Sequence, residues 1–119
     1  MASKHDKNTQ LFVALLAARG KLERAKRARR PYWESRVREL ESELMRANDG
    51  LAVYAANRFG LVHDLDVSLA EARFILLGCV RRFNPAIGCK FSTYYVKSAL
   101  QRFMQLREVA SRQFVPFSV

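Results

Sequence analysis

Arg82-Phe83-Asn84-Pro85-Ala86-Ile87-Gly88-Cys89-Lys90-Phe91-Ser92-Thr93-Tyr94 sets aromatic residues on both sides of a short Pro/Gly turn. Proline has no backbone donor and pushes its predecessor out of the helical region, so a helix arriving from upstream ends at Asn84-Pro85. Gly88 supplies the backbone freedom that a reversal needs. Ser92 or Thr93 then has the side chain to cap a following helix. The reading is helix, turn, helix, with Phe91 and Tyr94 held beside Lys90. An aromatic surface next to a cation suits an unstacked base and its phosphate. Core packing is the competing role for both rings, more so for Phe91 than for Tyr94.

Outward from this junction the chain reads as helix. Thr9 is positioned to cap a first helix carrying Leu11, Phe12, Leu15 and Leu16 and ending at Gly20. A basic run, Lys21 to Arg30, follows. Pro31 suits a first helical turn. From Tyr32 to Phe59, Trp33, Val37, Leu40, Leu44, Ala47, Leu51, Tyr54, Ala55 and Phe59 keep helical spacing, with Asn48-Asp49-Gly50 as the weak point. Ser68-Leu69-Ala70-Glu71 has the form of a capping box. It would open a helix with Leu69, Phe74, Ile75, Leu76, Cys79, Val80 and Phe83 inside. A last helix from Thr93 to Ala110 has Tyr95, Val96, Ala99, Leu100, Phe103 and Leu106 as its apolar stripe. No segment reads as a strand. The expected fold is all-α, a compact bundle of about four or five helices. Residues 1–30 form a basic N-terminal helical arm and 31–119 the main domain.

Charge divides the same way. Residues 1–30 hold nine Lys/Arg against Asp6 and Glu23, and residues 81–119 hold seven against Glu108 alone. Between them, residues 31–80 hold five against eight acids. The total is +10 over 119 residues. Basic ends suit a polyanion such as DNA, and the acidic middle suits a basic protein surface.

Composition also argues against other classes. Cys79 and Cys89 are too few for a disulfide framework. The longest apolar run, Leu11–Ala18, is too short to cross a bilayer, and no secretion signal is legible at the N-terminus. A cytoplasmic location without membrane attachment is expected. His63 beside Asp64 and Asp66 matches no standard metal-ligand spacing, so neither a metal nor a cofactor is expected. With His5 and His63 the only histidines and no glycine-rich phosphate cradle, neither enzymatic activity nor a small-molecule substrate is expected.

Three landmarks carry a resemblance. The junction resembles the "FD-x-x-x-G-x-KFSTY" segment of bacterial RNA polymerase sigma factors of the sigma-70 family, region 2. Ala47-Asn48-Asp49-Gly50-Leu51-Ala52-Val53-Tyr54-Ala55-Ala56-Asn57-Arg58-Phe59 is similar to that family's "AN-x-x-LV-x-x-x-A-x-x-Y" helix. Gln113-Phe114-Val115-Pro116 is similar to its "I-R-I-P" exit. Together they span residues 45–117.

The resemblance implies a helical transcription-initiation module. Its partners would be core RNA polymerase, through a coiled coil of the largest subunit, and promoter DNA, especially the single-stranded −10 element. It places Tyr94 where the family stacks on an extruded adenine, with Phe91 and Lys90 beside it and Arg82 near the displaced strand. Gln101 falls where the family reads the upstream base pair, and glutamine can pair bidentately with adenine. Lys97, Arg102, Gln105, Arg107 and Arg112 complete the DNA-facing set, the cations as a phosphate track. Asn48, Asp64, Asp66 and Glu71 are the implied polymerase contacts. Two positions depart from the family. Its tryptophan pair, a wedge at the edge of the melted duplex, is Lys97 and Ser98 here. Its polymerase-binding "DL-I-Q-E-G" motif reads Val67-Ser68-Leu69-Ala70-Glu71-Ala72, keeping only the glutamate. The family's −35-reading domain would follow Val119, so the expectation is either an excerpt of a longer protein or a reduced, single-domain member. These departures leave two alternatives, a non-specific helical DNA-binding protein and a polymerase-binding inhibitor that occupies the sigma site.

Overall fold

Phe12, Leu15 and Ala18 recur three residues apart and put one stripe of the first helix, α1 (Lys4–Arg24), into the interior. The computed structural model describes residues 4–60 and 64–113. α1 starts ahead of Thr9 and runs through Gly20 without a break. A glycine within a helix costs only about 1 kcal/mol relative to alanine, less than burial of that stripe returns. The chain turns instead at residues 25–29, where the Ala25 N–H donates to the Leu22 carbonyl and the Arg29 N–H to the Lys26 carbonyl. α2 (Arg30–Ala47) begins with Pro31 in its first turn and returns along α1 as a hairpin. Leu40 and Leu44 are buried, with Trp33 and Val37 half-buried beside them.

The expected weak point is a real break. Asn48 separates α2 from α3 (Asp49–Phe59). α3 presents Ala52, Ala55 and Ala56 to α4 (Leu65–Arg82), and such small side chains let the two helices approach closely. At Gly60 an added Cβ would lie 2.6 Å from the Ser68 Cβ and 2.3 Å from the Ala56 carbonyl oxygen, so glycine is required there. α4 therefore opens earlier than the Ser68 capping box predicts. Asp64 is the N-cap and accepts the Val67 N–H at 3.1 Å, while Ser68 is buried against Gly60.

After α4 the chain makes one 3₁₀ turn, Pro85–Ile87, then passes through Gly88 at φ 91° into α5 (Phe91–Gln113). The Asn84 side chain accepts the Ala86 N–H at 2.9 Å. Helix resumes at Phe91, so Ser92 and Thr93 lie inside the first turn rather than capping it. The anchoring of Phe91 in the core sets that start. Phe91, Tyr95, Ala99 and Phe103 follow at four-residue steps as the buried stripe of α5. The Tyr95 hydroxyl donates to the Ala72 carbonyl at 2.9 Å and ties α5 to α4.

Three phenylalanines join the ends of the chain. Phe12 lies 4.9 Å from both Phe83 and Phe91 by ring centroid, and Phe83 lies 5.3 Å from Phe91 in an edge-to-face arrangement. Glu41, nearly buried, accepts from Arg19 at 3.2 Å and pairs with Arg81 at 3.5 Å, clamping α1, α2 and α4 together. α1 thus belongs to the same core as residues 31–113, and the boundary at residue 30 is one of charge. Three residues expected from apolar spacing to be core lie outside it: Tyr54 is 50 % exposed, Phe74 70 % and Leu100 40 %. All three fit the apolar spacing of their helices, but α3, α4 and α5 turn those faces to solvent. Described helix makes up the whole bundle, and none of it is long and apolar enough to cross a membrane.

Candidate nucleic-acid interface

Lys90 and Phe91 stand where α1, the α2–α3 break and the Pro85–Gly88 turn converge, and a groove opens on each side of them. One, of about 440 Å³, lies between Asn8, Phe12 and the turn residues Pro85 and Gly88. The other, of about 560 Å³, lies between Asn8, Gly50, Leu51, Tyr54 and Ser92. Both are open to solvent and both have the exposed Lys90 on their rim. The Tyr54 ring is 50 % exposed and meets Phe59 edge-to-face at 6.1 Å, which steadies it without covering it.

The grooves share a polar floor. Asn8 and Asn48 exchange two side-chain hydrogen bonds, each 2.9 Å, and the Asn48 amide also donates to the Leu44 carbonyl at 2.8 Å. Asn48 is 5 % exposed with its amide committed internally. It locks α1 to the helix break and is not a free polymerase contact.

Phe91 corrects another expectation. At 2 % exposure, packed against Phe12, Phe83 and Tyr95, its ring offers no face to a base. Tyr94 is half-buried, with its ring 5.3 Å from Phe83. The nearby Tyr94 hydroxyl is the main influence that raises the Arg82 pKa above its ordinary value. The Arg82 guanidinium lies back over Gly78. The structure therefore brings Arg82 and Tyr94 together, and holds Lys90 one turn of helix away on the groove side.

The rest of the α5 set divides. Tyr94, Lys97, Gln101, Gln105 and Arg112 recur at three-, four- and seven-residue steps, and so share one face of the helix. Of these, Lys97, Gln101 and Gln105 are exposed, and Arg112 pairs with Glu108 one turn away. Arg102 and Arg107 leave that face. Arg102 donates to the Glu71 carboxylate at 3.2 Å. Arg107 donates to the carbonyls of Phe59 at 2.6 Å and Gly60 at 3.2 Å, satisfying the C-terminal end of α3. Both exposed guanidiniums are engaged as ties between helices.

The acidic middle is largely consumed as well. Glu34, Glu39, Glu41, Asp49 and Glu71 all pair with arginines, Asp49 with Arg73 through two bonds of 2.9 and 3.1 Å. Those bonds hold the Asp49 carboxyl below the usual range. Asp64 caps α4, and Asp66 lies exposed in its first turn. Glu71 faces Arg102, so two residues assigned to different partners are each other's partner. His63 and the Phe114-Val115-Pro116 segment lie outside the described residues. Among the described residues, no three His, Cys, Asp or Glu side chains gather as a metal site.

Asn8 and Tyr54 are the groove residues that sequence reading missed as site residues. Tyr54 sits in the quoted α3 motif, where its spacing reads as core. Asn8 had no local signal, because its partner is 40 residues away. Comparison of the chain with protein-family models, curated proteins and solved structures finds no match.

Proposed function

We propose that this chain is a sigma-region-2-like transcription-initiation module that holds single-stranded −10 promoter DNA in the grooves flanking Lys90 while bound to core RNA polymerase. One observation carries the reading. Lys90 and Phe91 line both open grooves, and Ser92 and the half-exposed Tyr54 line one of them, with the exposed Lys90 on the rim. A cation, a hydroxyl and an aromatic face around a cleft are what single-strand binding uses: the cation meets the phosphate and the ring stacks on a base. In this reading Tyr54 supplies the open face that Phe91 does not. Tyr94 and Arg82 form a second contact at the junction, and Lys97, Gln101 and Gln105 carry the strand along α5.

A second reading is favoured by a different observation. Glu71 is engaged by Arg102, and Asn48 is buried. Two of the four expected polymerase contacts are thus spent inside the fold, as a nucleic-acid-binding protein without a polymerase partner would have them.

Binding of a labelled single-stranded −10 oligonucleotide, against a scrambled one, with and without core polymerase, separates the two. Promoter-module function predicts sequence-selective binding that core polymerase strengthens and Lys90→Ala weakens at least about tenfold, as a charged contact of about 1.5–3 kcal/mol requires. Equal, salt-sensitive binding of both oligonucleotides, indifferent to polymerase, would establish the second reading.

A further inference from the structure

We infer that the tip of the α1–α2 hairpin is a second nucleic-acid surface, which grips the phosphate backbone of duplex DNA without reading sequence. Its charge argument stands alone, while the choice of duplex over single strand rests on the promoter reading of the Lys90 grooves. Lys26, Arg27 and Arg29 lie in the turn between the helices, with Arg24 one turn before them. All four are exposed, and among the described residues no carboxylate pairs with any of them, although several arginines elsewhere are matched with acids. Self-repelling cations concentrated at one turn gain nothing in the free protein, whereas a polyanion relieves that repulsion and releases its own counterions.

Aromatic residues prepare the surface. Tyr32, 59 % exposed, has the Arg29 guanidinium 6.0 Å from its ring centroid. Trp33 has the Lys21 ammonium at 5.8 Å, and the two rings meet edge-to-face at 4.9 Å. Cation–π contacts of this kind restrict long side chains before a ligand arrives and so reduce the ordering cost of binding. The turn itself is closed by the Arg29 and Arg30 N–H groups, which both donate to the Lys26 carbonyl. A turn held by its own backbone bonds presents its cations to a row of phosphates with less ordering cost than a flexible tail would.

The location agrees with duplex rather than single strand. The tip lies at the Arg30 end of α2 and the Lys90 grooves at its Ala47 end, so the 18-residue helix holds them about 27 Å apart. At about 3.4 Å per base pair, that span is about eight base pairs. One DNA with a duplex arm and a melted segment reaches both.

The test uses the full chain and a random-sequence duplex followed by fluorescence anisotropy across a salt series. The triple substitution Lys26→Gln, Arg27→Gln, Arg29→Gln is expected to weaken duplex binding at least about tenfold. It should also reduce the slope of log affinity against log salt by about 2.7, three phosphates at about 0.9 each. Arg58→Gln, which removes an exposed cation of α3 away from both surfaces, is expected to leave that slope unchanged. Because the three residues are exposed, an unchanged thermal midpoint confirms that the variant is folded. Duplex affinity and slope unchanged in the folded triple variant would overturn the inference. So would loss of core-polymerase binding with DNA binding intact, since it would assign the tip to an acidic protein surface. Loss of oligonucleotide selectivity with the tip effect intact would sink the promoter reading alone.

Discussion

Asn48 and Tyr95 show how single side chains hold this molecule together. Removing the Asn48 amide breaks both bonds to Asn8 and one to the Leu44 carbonyl, so Asn48→Ala is expected to cost about 1–3 kcal/mol in urea unfolding. Tyr95→Phe deletes one buried hydroxyl bond to an already helical carbonyl and should cost less, about 0.5–1.5 kcal/mol. The phenol also imposes a pH dependence. Burial raises the Tyr95 pKa above its ordinary value, so its neutral form is favoured in the folded state. Its contribution is complete below the unfolded value, near 10, and declines as pH rises above it. Wild type is therefore expected to lose stability between about pH 10 and 11.5 more steeply than Tyr95→Phe, measured as the difference between two urea series. Tyr95 was legible in the sequence because Ala99 and Phe103 repeat its spacing. The Asn8–Asn48 pair was not, since polar partners distant in sequence leave no periodic trace.

Among the elements, the Pro85–Gly88 turn and the α3–α4 corner depend on glycine for different reasons. Gly88 has φ 91°, a conformation that costs an L side chain about 1–2 kcal/mol. Nothing lies within 4 Å of the position its Cβ would take, so the strain is conformational alone. Gly88→Ala should lower stability by that amount and weaken single-strand binding, because the turn is what places Lys90 on the groove rim. At Gly60 the backbone conformation is ordinary and the obstacle is contact. Gly60→Ala drives Ser68 and the end of α3 apart, and a loss of about 1–3 kcal/mol in thermal or urea unfolding is expected. The first turn could be read from sequence since Asn84, Pro85 and Gly88 act through their own backbone. The start of α4 could not, because Asp64 and Ser68 are equally good cap residues. The choice between them rests on the burial of Ser68 against Gly60, a contact only the folded chain makes.

Charge organises the whole molecule, in a way that segment sums only half describe. The all-α fold and its helix count followed from apolar spacing and two local breakers. The formal excess of +10 follows from composition. What composition hides is which charges are spent on the fold: Arg19, Arg73, Arg102 and Arg107 tie helices together, and five of the middle acids answer to arginines. Among the described cations without an acid partner, one group lies at the hairpin tip and Lys90 and Lys97 lie elsewhere, on a body 64 Å long. Two surfaces of different character should respond differently to salt. Tip binding, being backbone attraction, should fall steeply as salt rises, and groove binding, with a stacking share, should fall less. The most direct test of the central claim is amide chemical-shift mapping of the labelled protein with a single-stranded −10 oligonucleotide at moderate salt. The account predicts that the largest shifts fall on Asn8, Tyr54, Lys90 and Ser92, saturating before those at residues 24–30. Shifts confined to the tip, or spread evenly over every exposed cation, would contradict it.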